Sequence, residues 1–516
     1  MFSRFRAAAA GPVTAPAAGT DGTDGTRQGR RATGPAPALV AGAVVVVLVA
    51  FASGYGYHRD ELYFLAAGHH LAWSYADQGP VAPLIARAMS AIGAGSLIVL
   101  RVPSAVAAGA TVLLTGLLAR ELGGGRRAAL IASLTAAVST IVLFTGHTLS
   151  TSTFDLLAWT ALTWLVVRAV HSGTDRLWPV AGLVLGAGLL NKPLPAFLAG
   201  AMIAGVALAG PRRLLRNGYV WCAAAIAMAL WSPWLIWQAR HGWPQLDVAG
   251  SITAGGSTSS APRWAIVPFQ ALYAGPLLAP VWIAGLVRLF RDRELRDLRF
   301  LGWAWVLLAV TFIATGGKPY YLAGLLPLLI GAGTPVVAGW LDRGRAGARR
   351  GLLAAAIVIS AVVGSLIALP VLPADRVGPI VAMNPDVGET IGWPDLTRTV
   401  AGVAGPLPGD RPVIFTGNYG EAGAIDRFGP ALGLPHAHSG HNAYESWGPP
   451  PDGSAPVITV GIPMRYLTMW FRDCTPRAHI TNAAGVDNDE RGALIALCRS
   501  PREPWSRLWP ELGHLG

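Results

Sequence analysis

Long hydrophobic runs separated by short polar stretches dominate the chain as far as about residue 372. A run of about 17 to 25 apolar residues is long enough to cross the hydrocarbon core of a bilayer. The pattern predicts an all-α polytopic membrane domain, residues 36–372, with about eleven transmembrane helices. The predicted spans lie at about 37–55, 102–119, 128–146, 153–170, 177–190, 193–209, 219–237, 265–287, 300–315, 320–340 and 352–372.

Two of these runs are short. The runs 177–190 and 193–209 are separated only by Asn191-Lys192-Pro193. They predict either a tight hairpin of two spans or one broken helix.

The two ends of the chain have a different composition. Residues 1–35 are rich in Ala, Gly, Thr and Pro and predict a disordered tail. Ala50-Phe51-Ala52 is similar to a signal-peptidase site, but the long tail before it favours a retained signal anchor. Residues 373–516 contain short strand-like runs bounded by turn residues, and 412–428 has a strand, turn and helix pattern. This segment predicts a small soluble α/β domain.

Composition and charge place the protein in the membrane class. Hydrophobic residues make up 53% of the chain and charged residues only 13%, and the mean hydropathy is +0.45, whereas soluble domains have about a quarter of their residues charged. All but two of the 40 basic residues are arginines, and no basic stripe is interleaved with aromatic residues, so nucleic acid is not a predicted partner.

The arginines also predict the topology, because cytoplasmic loops are enriched in basic residues. Alternate loops carry arginine clusters, which predicts a cytoplasmic N-terminus, an extracytoplasmic C-terminal domain and a location in the plasma membrane. The clusters are Arg120, Arg126 and Arg127; Arg176; Arg212, Arg213 and Arg216; Arg288, Arg291, Arg293, Arg296 and Arg299; and Arg343, Arg345, Arg349 and Arg350.

The three cysteines form no CxxC or zinc pattern. Cys222 lies inside a predicted span. Cys474 and Cys498 lie in the predicted extracytoplasmic domain, where a disulfide can form. A disulfide and two free thiols both remain open from the sequence.

On this topology, unusual polar residues converge on the outer face. Asp60 and Glu61 follow the first span, Asp155 opens a later one, and the only two lysines, Lys192 and Lys318, each precede a proline in outer turns. A lysine ammonium can bind a phosphate as a point charge, although two lysines that snorkel at helix ends are the simpler alternative. The same first loop also carries His58, His69, His70 and Asp77.

These residue types suit a reaction of a lipid-linked phosphate at the membrane face. A carboxylate can accept the proton of an attacking hydroxyl, and a cation can stabilise the charge that develops on a phosphate leaving group. Residues 61–73 have an amphipathic pattern that predicts an interfacial helix lying on the membrane.

Several short motifs follow one another between about residues 57 and 330. They are Asp60-Glu61-x-Tyr63, Asp77-Gln-Gly-Pro, Arg101-Val-Pro-Ser, Thr153-Phe-Asp155, Asn191-Lys192-Pro193 and Gly317-Lys318-Pro-Tyr-Tyr321. In this order they resemble one family, the membrane glycosyltransferases related to protein O-mannosyltransferases and the lipid A aminoarabinose transferase. Gly79-Pro80 stands where family members usually have paired prolines.

The resemblance implies a GT-C fold and an enzyme that uses a polyprenyl-phosphate-linked sugar as donor on the extracytoplasmic side. It implies that an acceptor hydroxyl attacks with inversion and that membrane lipid surrounds the enzyme. The implied catalytic residues are Asp60 as general base, Glu61 beside it and Asp155. The implied donor-phosphate residues are Lys192, Lys318, Tyr321 and Tyr63, with first-loop contacts from His58, His69, His70 and Asp77.

Some alternatives remain open. No cofactor is expected, but a divalent ion held by Glu61 with His58, His69 or His70 is a further hypothesis. In the C-terminal domain, Asn418, Glu421, His441 and Asn442 either bind an acceptor or satisfy local turns. A transporter or lipid flippase that uses the same outer charges is the rival function. A third alternative, a purely structural scaffold, would not explain the presence of Asp60, Asp155 and both lysines.

Overall fold

A computed structural model of the chain describes residues 34–93, 95–255, 261–405, 407 and 412–516. Residues 35–516 form one compact unit. The predicted disordered tail, 1–35, falls outside the described residues except for its last two positions. The predicted division at about residue 372 remains a prediction.

The described residues before 373 are mostly helical, apart from the connecting segments, of which 68–80 is a long one, and four 3-10 segments at Arg212–Arg216, Arg263–Ile266, Arg296–Leu298 and Pro319–Leu325. Its helices are α1 Ala36–Phe51, α2 Arg59–Ala67, α3 Val81–Gly93, α4 Leu97–Glu121, α5 Arg126–Ala137, α6 Thr140–His147, α7 Thr151–Ser172, α8 Leu177–Asn191, α9 Leu194–Ala209, α10 Gly218–Arg240, α11 Pro244–Thr253, α12 Phe269–Ala274, α13 Ala279–Arg291, α14 Arg299–Thr315, α15 Leu326–Leu341 and α16 Ala346–Ala368.

Every predicted span overlaps a helix, but the count of about eleven is not confirmed. Among the described residues, six helices are long and apolar enough to cross a bilayer, and eight if each of two bent pairs is one span. The bends are 56° between α5 and α6 and 113° between 263–274 and 279–291. The short runs 177–190 and 193–209 form two separate helices, α8 and α9, of 15 and 16 residues.

The C-terminal part contains a small sheet flanked by helices. Strands β1, β2 and β3 are parallel, β6 and β5 continue the sheet antiparallel, and the strand order is β2-β1-β3-β6-β5. The elements are α17 Gly378–Met383, α18 Trp393–Ala404, β1 Val413–Thr416, α19 Tyr419–Phe428, β2 Ala437–Ser439, α20 Ala443–Ser446, β3 Val457–Val460, α21 Met464–Trp470, β4 Phe471–Arg472, β5 Thr475–His479, β6 Leu494–Cys498, β7 Ser500–Pro501 and α22 Trp505–Leu512.

This arrangement matches the strand, turn and helix pattern at 412–428, since β1 leads directly into α19. Cys474 and Cys498 form a disulfide in the structure. Of the two alternatives left open by the sequence, the fold therefore has the disulfide and not two free thiols. Cys222 is exposed and has a free thiol.

A buried ion pair fixes the loop that follows α1. Glu61 and Arg101 are 0% and 1% exposed, and the guanidinium donates from Nε to Oε1 at 2.8 Å and from Nη2 to Oε2 at 2.7 Å. Arg101 also donates to the carbonyl oxygens of Ala52 and Gly56, and Glu61 accepts from the backbone N–H of Leu149. The pair therefore ties α2 to α4, to the end of α1 and to the chain just before α7.

The C-terminal part packs on α2 through helix α19. Gly423 lies so close to Leu62 that a Cβ atom there would be 2.9 Å from the Leu62 carbonyl carbon. A Cβ atom placed on Gly420 would likewise lie 3.0 Å from the Cβ atom of Arg59. Two glycines three positions apart lie on one helix face, so α19 can approach α2 closely.

We expect Glu61→Gln to destabilise the protein by about 3–5 kcal/mol, because it leaves the Arg101 guanidinium buried without its counter-charge. The measurement is the unfolding midpoint of the purified protein in detergent. Glu121→Gln is the matched control, because Glu121 forms a 2.9 Å ion pair with a partly exposed Arg168 and should lose about 1 kcal/mol or less. Equal losses in both variants would contradict the structural role of the buried pair.

We expect Gly423→Ala to loosen α19 from α2, because the added methyl group meets backbone atoms that cannot move away. Gly402→Ala in α18 is the control, since a Cβ atom there meets nothing within 4 Å. The control should gain up to about 1 kcal/mol from helix propensity, whereas Gly423→Ala should lose about 1–3 kcal/mol. Thermal unfolding of both proteins compares them, and a stabilised Gly423→Ala protein would refute the close contact.

Candidate active site

Asp60 lies at the start of α2, where the fold favours an ionised carboxylate. The Nδ1 atom of His58 accepts the backbone N–H of Asp60 at 3.2 Å, and Glu61 accepts the N–H of His58 at 2.8 Å, which forms a capping box. The positive end of the helix dipole favours a negative group in this first turn. Asp60 Oδ1 accepts the hydroxyl of Tyr419 at 2.9 Å, and its side chain remains 39% exposed.

The charges around Asp60 control its protonation. Burial opposes ionisation, but the charges of Arg59 and Lys318 and the Tyr419 hydrogen bond together lower the pKa of Asp60 below its ordinary value. Burial and the nearby Lys192 lower the pKa of Lys318 to about 8, against the opposing effect of Asp60 and Asp386. At neutral pH the site therefore holds a carboxylate and an ammonium group within electrostatic reach of one another.

A second group of residues surrounds Lys192 at the end of α8. Its Nζ atom lies 3.5 Å from the Tyr320 hydroxyl and over the rings of Tyr320 and Tyr321, at 5.1 and 5.4 Å from their centroids. Asp155 is buried, accepts Trp159 Nε1 at 3.1 Å and interacts with the charge of Lys192. Two aromatic faces and one carboxylate thus surround this ammonium group.

The structure gives Tyr63 a different place from the predicted donor contact. Tyr63 is 1% exposed, and its hydroxyl donates to Asp77 at 2.7 Å and accepts the backbone N–H of Ala443 at 3.1 Å. Asn442 donates to the second oxygen of Asp77 at 3.2 Å. Burial raises the pKa of Asp77 to about 6. Tyr63 and Asp77 therefore connect the first loop to the C-terminal part.

Glu61 and the histidines also have defined partners. Both oxygens of Glu61 accept hydrogen bonds from Arg101, and these bonds hold α2 in position. Because its oxygens are occupied in this way, the carboxylate is not available to bind a divalent ion together with the neighbouring histidines. His69 lies 3.0 Å from Arg87 at the surface, and His70 stacks on Trp447. Among the described residues, no group of three or more His, Cys, Asp or Glu side chains is placed to hold a metal ion.

The C-terminal residues considered as acceptor contacts are mostly engaged within their own fold. Asn418 and Glu421 form the capping box of α19, and Asn418 also donates to the buried Glu490 at 3.1 Å. Burial raises the pKa of both Glu421 and Glu490. His441 lies 3.0 Å from the Gly516 carbonyl oxygen. Asn442 is the member of this set that contacts the first loop.

Several site residues were not predicted from the sequence. Tyr419 donates to Asp60, Asp386 interacts with the charge of Lys318, and Glu389 lies 3.7 Å from Arg59. Burial raises the pKa of Glu389 to about 7, although Arg59 opposes the shift. All three come from the chain beyond residue 373, and only Tyr419 lies in a stretch with a recognisable strand-to-helix turn.

One edge of the sheet, at the carboxyl ends of its parallel strands, faces the first loop. Tyr419 follows β1, and Asn442 follows β2, so both side chains leave the same edge of the sheet. In α/β sheets, ligands bind at this edge because loops and helix N-termini meet there. The site therefore combines a carboxylate and two ammonium groups from the helical part with residues of the C-terminal part on its other side. This arrangement is suited to general base chemistry beside an anionic group.

Sequence comparisons find that part of this chain is similar to glycosyltransferases. The family described as dolichyl-phosphate-mannose-protein mannosyltransferase matches residues 77–237. The undecaprenyl phosphate-alpha-4-amino-4-deoxy-L-arabinose arabinosyl transferase 1 of Pseudomonas fluorescens is 30% identical over 275 residues, which cover 49% of this chain and 47% of that protein. The chain thus spans about half the length of the curated relative that it matches.

Solved structures extend the likeness of fold to most of the chain. The apo crystal structure of ArnT from Cupriavidus metallidurans matches with a TM-score of 0.59 and 13% identity, covering 89% of this chain and 97% of that one. The same protein bound to undecaprenyl phosphate matches with a TM-score of 0.58 and 14% identity over the same shares. In fold and in sequence, this chain resembles the GT-C membrane glycosyltransferases related to protein O-mannosyltransferases and the lipid A aminoarabinose transferase.

Proposed function

We propose that this protein is a glycosyltransferase that moves a sugar from a polyprenyl-phosphate donor to a hydroxyl group of an extracytoplasmic acceptor. The observation that carries the proposal is that a partly exposed Asp60, held at the start of α2, lies within electrostatic reach of the ammonium group of Lys318. The sequence relative and the fold neighbours support the donor class, since the relative is named for an undecaprenyl phosphate sugar and one neighbour is bound to undecaprenyl phosphate.

In the proposed reaction, the oxygen of the acceptor hydroxyl attacks the anomeric carbon of the donor sugar. A new glycosidic C–O bond forms as the C–O bond to the phosphate breaks, so the configuration inverts. The polyprenyl phosphate leaves with the electron pair of the broken bond, and the hydroxyl proton goes to Asp60. A positioned carboxylate base of this kind contributes roughly 10²–10⁴-fold to the rate.

The two lysines take the other half of the chemistry. In the ground state they bind the donor phosphate, and during the reaction they stabilise the charge that grows on it. The rings of Tyr320 and Tyr321 hold the Lys192 ammonium group in place. Asp155 is buried within electrostatic reach of Lys192 and accepts a hydrogen bond from Trp159.

The proposal includes the topology predicted from the arginines. The N-terminus lies in the cytoplasm, the site and residues 373–516 lie outside, and α8 and α9 each count among about eleven crossings. The fact that α2, α19 and the lysine turns share one site supports this arrangement, because all of them must then lie on one side of the membrane.

The central test is Asp60→Asn, which keeps the size of the side chain but removes the base. With purified protein and a radiolabelled polyprenyl-phosphate sugar, we expect transfer to fall by about 10²-fold or more. Asp487→Asn is the control, because Asp487 is exposed in the C-terminal part and should leave turnover unchanged. Unchanged turnover in the Asp60→Asn protein would reject Asp60 as the base. Vesicle assays that show lipid translocation without a new glycosidic bond would favour the rival transporter.

The low pKa of Lys318 predicts a pH-dependent donor affinity. As the pH rises through about 8, Lys318 loses its proton, so the KM for the donor should increase from pH 7 to about pH 9.5. Lys318→Arg should remove this increase, because arginine stays protonated over the whole range. Lys318→Met should give a high KM at every pH. A wild-type KM that is constant over this range would exclude Lys318 from phosphate binding.

A further inference from the structure

We propose that Tyr419 is a positioning residue for the Asp60 carboxylate, so that the C-terminal α/β part is built into the catalytic site. This inference rests on the proposed function and assigns a task to a region whose role the family resemblance leaves open. Tyr419 does not touch the reacting atoms in this proposal. It acts through Asp60, which it holds by a hydrogen bond of 2.9 Å.

The hydrogen bond joins a buried donor to a half-exposed acceptor. Tyr419 is 8% exposed, whereas the Asp60 side chain is 39% exposed. The bond fixes Oδ1, and the rotation of a carboxylate held at one oxygen is restricted, so Oδ2 points in a defined direction. A base must lie within about 2.6–3.2 Å of the proton that it accepts, and restricted rotation meets this requirement at low entropic cost.

The neighbours of Tyr419 hold its ring in place. The ring stacks on Tyr63 with a centroid distance of 4.6 Å and an interplanar angle of 29°, and it lies 4.8 Å from the ring of His441. The Arg59 guanidinium lies 5.7 Å from the ring centroid. Because these contacts cover several sides of the ring, the direction of its hydroxyl group is set before any substrate arrives.

The backbone of the C-terminal part also fixes the position of Tyr419. It is the first residue of α19, immediately after the Asn418 cap and three residues beyond the end of β1. Gly420 and Gly423 bring the same helix into contact with α2, which carries Asp60. The distance between the side chains of Tyr419 and Asp60 is therefore set by two helices, α19 and α2, and not by a loop.

A tyrosine suits this task better than a cation would. Glu61, one residue along, is held by the bidentate guanidinium of Arg101, and a carboxylate so paired has little tendency to accept a proton. The hydroxyl that orients Asp60 at 2.9 Å is neutral, and the Arg59 guanidinium stays 3.9 Å from the same oxygen, beyond hydrogen-bond distance. Asp60 can then be fixed in direction and still accept a proton from an acceptor.

The test compares Tyr419→Phe with Tyr444→Phe in the full-length protein. Tyr444 is a matched control, because it is a buried tyrosine of the same C-terminal part whose hydroxyl donates to Asp426 at 2.9 Å, not to Asp60. We expect Tyr419→Phe to lower kcat about tenfold or more and to leave the donor KM within about twofold. Tyr444→Phe should leave both values unchanged.

The pH profile of kcat/KM separates positioning from a general loss of structure. The hydroxyl of Tyr419 stabilises the ionised form of Asp60, so its removal should raise the pKa of Asp60 and move the acid limb of the profile to higher pH. Incorporation of a fluorotyrosine at position 419 keeps the size of the residue and strengthens the donor, so the acid limb should move to lower pH. This second protein decides the question if Tyr419→Phe does not fold.

The outcomes distinguish the inference from the proposed function. If the wild-type protein transfers no sugar from any polyprenyl-phosphate donor, the proposed function is wrong. If the wild-type protein is active and Tyr419→Phe matches Tyr444→Phe in kcat and in pH profile, Tyr419 does not position the base. If fluorotyrosine at position 419 does not move the acid limb of the kcat/KM profile, the inference is likewise wrong.

Discussion

The arrangement of the site depends on the buried pair between Glu61 and Arg101. Transferring two charges out of water is costly, and only excellent geometry with further hydrogen bonds offsets that cost. Here the guanidinium makes two contacts to the carboxylate and further contacts to backbone carbonyls at the end of α1. The pair thereby fixes the first turn of α2 relative to the membrane helices, and the neighbouring Asp60 takes its direction from that turn.

Two adjacent acids thus have opposite environments. Glu61 is saturated with donors and fully buried, whereas Asp60 accepts one hydrogen bond from a neutral hydroxyl, lies 3.9 Å from Arg59 Nε and keeps 39% of its side chain exposed. The same division applies to the cations, because Arg101 is held by Glu61 and backbone carbonyls whereas Lys318 lies within electrostatic reach of Asp60. A rigid pair next to a reactive group is a common way to hold catalytic geometry within a fraction of an ångström.

Much of this site followed from local sequence. Asp60, Lys192 and Lys318 could be placed on one face because hydropathy locates helix ends and the arginines assign sides. The role of Tyr63 could not be predicted, since its hydroxyl is satisfied by Asp77 and by the backbone of Ala443, 380 positions away. No local pattern encodes such a contact.

The helices themselves show the same limit. Hydropathy located every apolar run, but it cannot detect a bend, and two runs are interrupted by changes of direction of 56° and 113°. Tertiary packing determines these bends. The number of crossings is therefore less certain from sequence than the positions of the helices.

The separation of Asp60 and Tyr419 along the chain affects the order in which the protein folds. The two side chains are 359 positions apart, so their contact is among the most distant in the chain. Contacts of such long range form late, because the loop between them must close first, and a chain folds from its N-terminal region during synthesis. The membrane helices can therefore be inserted while the site still lacks the residues of the C-terminal part. The site in a nascent chain therefore stays incomplete until residues 373–516 have been synthesised and have folded against the first loop.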